Sequence, residues 1–389
     1  MPIKPRVLEL HNEIQAWRQD LHQNPELMFD TIRTGTIVAE KLTEFGCDEV
    51  VSGLAQTGVV GLIKGNKTTS GTTIGLRADM DALPIVEATN VPYISSSEGK
   101  MHACGHDGHT AMLLGAAKYL AETRNFNGTV AVIFQPAEEG GGGGKVMCDE
   151  GLMERFGINE VYGMHNMPSI STGEFAIRAG AFFAATDEFN IQVRGIGGHA
   201  AIPHHGVDTT LVAAHMVVAL QSIVSRNTDP QQQLVVSVCT FRTETEASNI
   251  IPEYVHLRGT VRTLDAEVRE MALARLQKIV KSTAETFGAK VEVVLKRGYP
   301  VMVNSPKETE FAAMIGAKVS DKATQDVPPI MGAEDFAYML GERPGAYILV
   351  GNGDSAMLHH PEYDFNDDAI PAGASYWAEL IETRIPSLI

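Results

Sequence analysis

Three apolar runs constrain the fold of this 389-residue chain most tightly. Residues 57–65 (TGVVGLIKG) and 72–81 (TTIGLRADMD) are mostly apolar and bounded by Gly or polar turns, as buried strands are. A third run, 128–139 (GTVAVIFQPAEE), ends in a polar tip. Between the second and third lies 108–123 (GHTAMLLGAAKYLAET), whose apolar residues recur at helical spacing. Strands alternating with helices predict α/β architecture, with a central mixed sheet flanked by helices. Ligand chemistry on such a sheet gathers beyond the carboxyl ends of its strands. Asp79, Asp81, Glu138 and Glu139 all fall at such ends.

The middle of the chain follows another order. Strand 187–195 (DEFNIQVRG) precedes helix 208–226, then strands 233–243 and 254–263, helix 266–288 and strand 289–299. The order β-α-β-β-α-β is that of a ferredoxin-like unit. One more strand, 345–352 (GAYILVGN), follows and returns to the first domain. The expected organisation is a discontinuous catalytic domain (1–186 and 299–389) interrupted by a lid-like insert at 187–298.

Composition excludes several classes. A net charge of −17 leaves nothing to offset phosphate repulsion, so no nucleic-acid partner is expected. No segment reads as the roughly 20 apolar residues of a membrane span, so no membrane association is expected. The N-terminal stretch reads as an amphipathic helix after a short extended lead, without the apolar core of a signal peptide. Cys47, Cys104, Cys148 and Cys239 are scattered and form no CxxC pair. The expected compartment is the reducing cytoplasm.

Two glycine-rich stretches mimic nucleotide-binding motifs. Residues 195–200 (GIGGHA) fit a dinucleotide fingerprint, but Pro203 interrupts the helix that should follow. Residues 139–146 (EGGGGGKV) resemble a phosphate loop with Glu139 in place of its first Gly and Val146 in place of Ser or Thr. That run is better suited to a tight backbone turn beside a site.

The densest chemistry lies in 101–110 (MHACGHDGHT). Cys104 and His106 are close enough to serve one metal cluster if their loop is not a regular helix. Downstream come the adjacent carboxylates of QPAEE, His165 in YGMHNMP, and the pair His359 and His360 in LHHPEYDF. Imidazole and thiolate suit zinc and related transition metals, and carboxylate oxygen tolerates several. RADMDALP, MHACGHDGHTAMLLGAAKYL, FQPAEEGGGG, MHNMP, GIGGHAAIPHHGVD, SNIIPE, GAEDFAYM and LHHPEYDF, in this order, resemble the family of hippurate hydrolases and N-acyl-amino-acid amidohydrolases. These are relatives of aminoacylases and di-metal carboxypeptidases, and the likeness runs from RQDLHQNPEL almost to the end.

The resemblance implies two divalent metal ions held by Cys104, His106, Glu139, His165 and His359, with zinc, manganese, cobalt and nickel all open. It implies Glu138 as general base. The histidine of the relatives' H-x-D-x-x-P is replaced by Asp79, so Asp79 is doubtful as a ligand, while Asp81 orients a metal-bound histidine from behind. Asp107 and His109 are expected behind the ligands too, and His22 and Glu26 to be structural. His199 matches the histidine that the family's lid brings to a partner subunit's site, so a homodimer or higher homo-oligomer is expected. Asn249 and Arg262 are candidates for the substrate carboxylate. At Cys104, His106 and His109 could favour thiolate, though a bound cation deprotonates a thiol more decisively. His360 fills a position where relatives carry a small polar residue. Adjacent residues of an extended chain point to opposite sides, so at most one of the pair should reach the metals, and the resemblance places the ligand at His359. The expected activity is hydrolysis of small N-acyl-amino acids, the alternatives being a carboxypeptidase or dipeptidase on short peptides and a non-catalytic binding protein.

Overall fold

The computed structural model describes residues 3–320 and 322–387; Met1 and Pro2, within the expected extended lead, lie outside them. Two compact units emerge, one from the described parts of 1–180, 303–328 and 335–389, the other from 181–302 and 329–334.

An eight-stranded mixed sheet forms the first unit. Its neighbours run in the order Glu49–Leu54, Gly58–Lys64, Thr129–Gln135, Thr73–Asp79, Ile158–Pro168, Gly345–Gly353, Phe175–Ala176 and Ala323–Thr324. The four central strands, from Thr129–Gln135 to Gly345–Gly353, are mutually parallel, while Gly58–Lys64 joins them antiparallel. Their carboxyl ends therefore share one edge, which gathers Asp79, Gln135 and His165. Helices Pro5–Gln23, His106–Thr123 and Ile370–Arg384 pack together and share a core with the sheet, in which Ile14, Met112, Leu113 and Trp377 are buried. The apolar runs at 57–65, 72–81 and 128–135 are strands. Glu49–Leu54, Ile158–Pro168, Phe175–Ala176 and Ala323–Thr324 lie outside the strands read from the sequence.

His22 and Glu26 brace the first unit. His22 bridges Asp107 at 2.8 Å and Glu87 at 3.2 Å, while Arg18 reaches Asp107 at 2.9 Å and Asp364 at 2.5 Å. The Glu26 carboxylate accepts the N–H groups of Arg33 and Thr34, which the first turn of helix Ile32–Glu44 cannot satisfy internally.

In the second unit, four antiparallel strands lie in the order Leu234–Thr243, Tyr254–Thr263, Ala185–Arg194 and Lys290–Arg297. Phe189, Ile191 and Val193 alternate inward and meet helices Thr209–Ser222 and Ala266–Thr286. Each helix starts on an aspartate, Asp208 or Asp265, whose side chain accepts two first-turn amides. One expectation needs correction. By length and composition alone, Thr209–Asn227 is long and apolar enough to cross a membrane. The polar residues that punctuate it hid this in the sequence. Val212, Met216, Leu220 and Ile223 are buried in the core of this unit.

Arg269 anchors the second of these helices, donating from Nε and Nη2 to both Asp187 oxygens at 2.8 and 2.7 Å in a largely buried pair. Asp187→Ala should therefore cost about 3–5 kcal/mol by stranding the guanidinium. Urea titration of the purified variant checks this, and a loss below about 1 kcal/mol would show the pair to be dispensable.

Candidate metal centre

The site begins where two parallel strands end. After Gln135 the chain passes Pro136 and Ala137, the latter in the left-handed region at φ 57°. Glu138 and Glu139 then lie in a turn, free of the alternation that would send adjacent strand residues to opposite faces. Their main-chain N–H groups donate to the two carboxylate oxygens of Asp81, at 3.0 and 3.1 Å. The glycine run closes tightly behind them: a Cβ on Gly143 would stand 1.7 Å from the Pro136 carbonyl oxygen.

Helix His106–Thr123 starts two residues earlier than the apolar spacing suggested, so His106 is its first residue and Cys104 lies just outside it. Gly105 between them has φ 84°. His106 donates from Nδ1 to the main-chain oxygen of Asp81 at 2.8 Å. Asp81 thus orients this ring chiefly through its backbone and the two glutamates through its carboxylate.

His165 lies near the carboxyl end of strand Ile158–Pro168 and donates from Nδ1 to the main-chain oxygen of Asn166 at 2.6 Å, so Nε2 is left as the lone-pair nitrogen, 3.4 Å from Cys104 Sγ. His109 is engaged at both nitrogens: Nδ1 with an Asp79 oxygen at 2.6 Å, and Nε2 as acceptor from the Asn166 N–H at 2.8 Å. Asp79 also receives Arg77 Nη1 at 2.7 Å. These bonds spend Asp79 and His109 on internal partners.

His359 is not in extended chain. It has φ 65°, and its N–H donates to Ala103 at 2.7 Å. The strand-alternation argument for separating it from His360 therefore fails; a turn does the work instead. Nε2 of His359 lies 3.2 Å from Glu139 Oε1, whereas His360 uses Nδ1 to accept the Glu362 N–H.

The donor set fits a cation. Among the groups whose ligand atoms lie within 4.8 Å of one another are Cys104, His106 and His165; Cys104, Glu139 and His359; His106, Glu138 and Glu139; and, through the same His106, Asp79 and His109. His106 Nε2 is buried without a hydrogen-bond partner, 3.9 Å from Glu139 Oε1. Such orphaned polar atoms are costly unless something charged satisfies them. Burial opposes charge on His106, but Asp79, Asp81 and Glu139 outweigh it and lift its pKa to about 10. Burial, with His109 second, holds His165 well below its ordinary value, leaving it neutral as a ligand must be. At Cys104 the expectation of histidine-favoured thiolate is reversed. Burial pushes the thiol well above its ordinary pKa, and Glu139, Glu138 and Asp79 add to the rise.

His199, Asn249 and Arg262 belong to the second unit. His199 and Asn249 come together: His199 pairs in register with Ile250, and the Ala200 N–H donates to the Asn249 carbonyl at 3.0 Å. Both side chains are exposed. Arg262 lies apart on strand Tyr254–Thr263, half-buried, with Nε on Thr260 Oγ1. The dinucleotide-like GIGGHA instead forms part of this two-stranded ribbon. Arg77, Asn166, Asp335 and Tyr363, all buried, were missed by sequence reasoning, although each lies within a quoted motif at a position other than a candidate ligand's.

A Cys/His/Glu donor set, buried at Cys104, His106 and His165 and open at His359, at the carboxyl edge of a mixed sheet defines a candidate metallohydrolase. Residues 75–383 match the family model Peptidase family M20/M25/M40, and the chain belongs to that family. It is 43% identical to the hippurate hydrolase of Campylobacter jejuni over 98% of both chains. It is 38% identical to thermostable carboxypeptidase 2 of Saccharolobus solfataricus, over 96% of this chain and 95% of that one. Among solved structures, it resembles a dinuclear metal binding peptidase of Bacillus subtilis from the M20 family, with TM-score 0.85, 30% identity and coverage of 97% and 98%.

His359→Ala should lose bound metal, whereas His360→Ser should keep it. Metal counts on the purified variants check this; depletion in His360→Ser with retention in His359→Ala would reverse the assignment.

Proposed function

We propose that this chain is a metal-dependent amidohydrolase that cleaves N-acyl-amino acids, hippurate-like or N-acetylated, to a carboxylate and a free amino acid. The observation that carries this reading is the convergence of Cys104, His106, Glu139, His165 and His359 with Glu138 on the adjoining turn. These five residues would hold two divalent cations, with zinc, manganese, cobalt and nickel all compatible with mixed sulfur, nitrogen and oxygen donors. The cation pair supplies Lewis acidity, acidifying water and polarising a carbonyl oxygen. Glu138 takes the proton of the attacking water and returns it to the leaving amine. Asp81 holds Glu138 and Glu139 by their backbones, so the base and the neighbouring ligand keep a fixed separation.

The 43% identity to a hippurate hydrolase favours an aryl- or alkyl-acyl amide as substrate. The 38% identity to a carboxypeptidase supports a second reading, a short peptide cut by the same machinery. Asn249 and Arg262 would grip the substrate carboxylate, and His199 would donate to the developing oxyanion.

His199 is expected to act on the site of a second copy. Leu211 and Val218, seven residues apart on helix Thr209–Ser222, are exposed on one face. Beside them strand Leu234–Thr243 is an edge of the sheet, with Val235 and Phe241 exposed. An apolar helix face next to an unpaired strand edge is a surface suited to a two-fold partner. All four cysteines are free, which fits a reducing compartment such as the cytoplasm.

Hydrolysis of hippurate, N-acetyl-amino acids and dipeptides, assayed with added metals, ranks the two substrate readings. Glu138→Gln should lower turnover about 10²–10⁴-fold while keeping its metal. Mixed with inactive His199→Ala protein, it should regain activity through hybrid dimers. Near-normal turnover in Glu138→Gln would remove that carboxylate from the mechanism. Confirmed subunit exchange without recovery would place His199 in its own chain or outside catalysis.

A further inference from the structure

The candidate ligands come from separate segments, and one buried side chain joins three of them. Asn166 follows His165 on strand Ile158–Pro168 and is fully buried. Its Nδ2 donates to the main-chain oxygen of Cys104 at 2.6 Å and lies 3.0 Å from His109 Nε2. Its Oδ1 accepts from the Tyr363 hydroxyl at 2.6 Å, on the segment that follows His359. Its main-chain oxygen accepts from His165 Nδ1 at 2.6 Å, fixing that ring's tautomer and rotation.

This residue is itself held from behind. Its N–H donates to His109 Nε2, His109 Nδ1 reaches Asp79, Asp79 pairs with Arg77, and Arg77 Nη2 reaches Asp335 at 2.8 Å. Room for the amide exists only because residue 105 is glycine: a Cβ there would stand 2.2 Å from Asn166 Nδ2 and 2.5 Å from the Tyr363 oxygen.

We infer that Asn166 is a positioning residue that sets Cys104 and His165 as a pair before any cation arrives, with the Asp79–His109 pair and Tyr363 as its supports. The inference rests on the metal-centre reading. It requires an amide and nothing else of that size, because Nδ2 must donate to a carbonyl while Oδ1 accepts from a hydroxyl. An aspartate would place a second acceptor against the Cys104 oxygen, and a leucine would leave that oxygen and the tyrosine hydroxyl unsatisfied.

Cobalt titration of the full-length, metal-free protein tests this, because a thiolate bound to cobalt gives a charge-transfer absorption that a merely structural residue would not move. The wild-type protein should show the band, and Cys104→Ser should not. Asn166→Asp should bind cobalt about 10–100-fold more weakly, as expected for a residue that orients ligands. Its band should be diminished, and a thermal melt should show it folded. With chelator present and no metal, its Cys104 should also be alkylated faster than in wild type. Tyr363→Phe, which keeps the amide on Cys104, should show a smaller, several-fold weakening with its band retained. If Asn166→Asp folds and matches wild type in affinity, band and alkylation, the positioning role is overturned. If Asn166→Asp fails to fold, Tyr363→Phe decides: weakened cobalt binding upholds the role and wild-type binding overturns it. If wild type shows no thiolate band and Cys104→Ser binds cobalt equally well, the metal-centre reading itself fails, a result distinct from the others.

Discussion

Asp81 links three parts of the site at the carboxyl edge of the sheet. Its carboxylate holds the amides of Glu138 and Glu139, and its backbone oxygen holds the His106 ring. It is fully enclosed, so these bonds form without competition from water. The turn after Gln135 depends on it, because two successive glutamates could not face one site from a regular strand. With the turn fixed, the proposed base and the proposed ligand can stand side by side, and the helix that begins at His106 starts beside both.

The second constraint is charge. Asp79, Asp81, Glu138 and Glu139 are concentrated in one enclosed region. Arg77 answers Asp79 and Asp335, while Arg18 and His22 answer Asp107. Asp79, Asp81 and Glu139 raise the pKa of His106 against burial, and burial raises that of Cys104, with Glu139, Glu138 and Asp79 adding to it. Both groups must shed protons to ligate, so cation binding is coupled to proton release and strengthens as pH rises. The same negative field attracts the ions that would relieve it.

Much of this was legible in the sequence, for identifiable reasons. The buried strands Gly58–Lys64, Thr73–Asp79 and Thr129–Gln135 are nearly continuous apolar runs, as strands covered on both faces are. The strand Ile158–Pro168 was hidden because its buried positions include His165 and Asn166, which break the apolar signal to serve the site. The ligand candidates could be read because soft and acidic side chains are rare at strand ends without a purpose. Their supports could not, since Asn166, Tyr363 and Asp335 acquire meaning only when segments some 200 residues apart meet, as Gln135 and Asp335 do. The turn at His359 was equally invisible, because a left-handed histidine carries no sequence mark.

X-ray absorption at the metal edge of the purified protein tests the central claim most directly, because it counts sulfur in the metal's coordination shell. The account predicts one sulfur scatterer at about 2.3 Å if the metal is zinc. It also predicts that this scatterer vanishes in Cys104→Ser. A shell of nitrogen and oxygen alone in the wild-type protein, or a sulfur signal that survives the substitution, would contradict it.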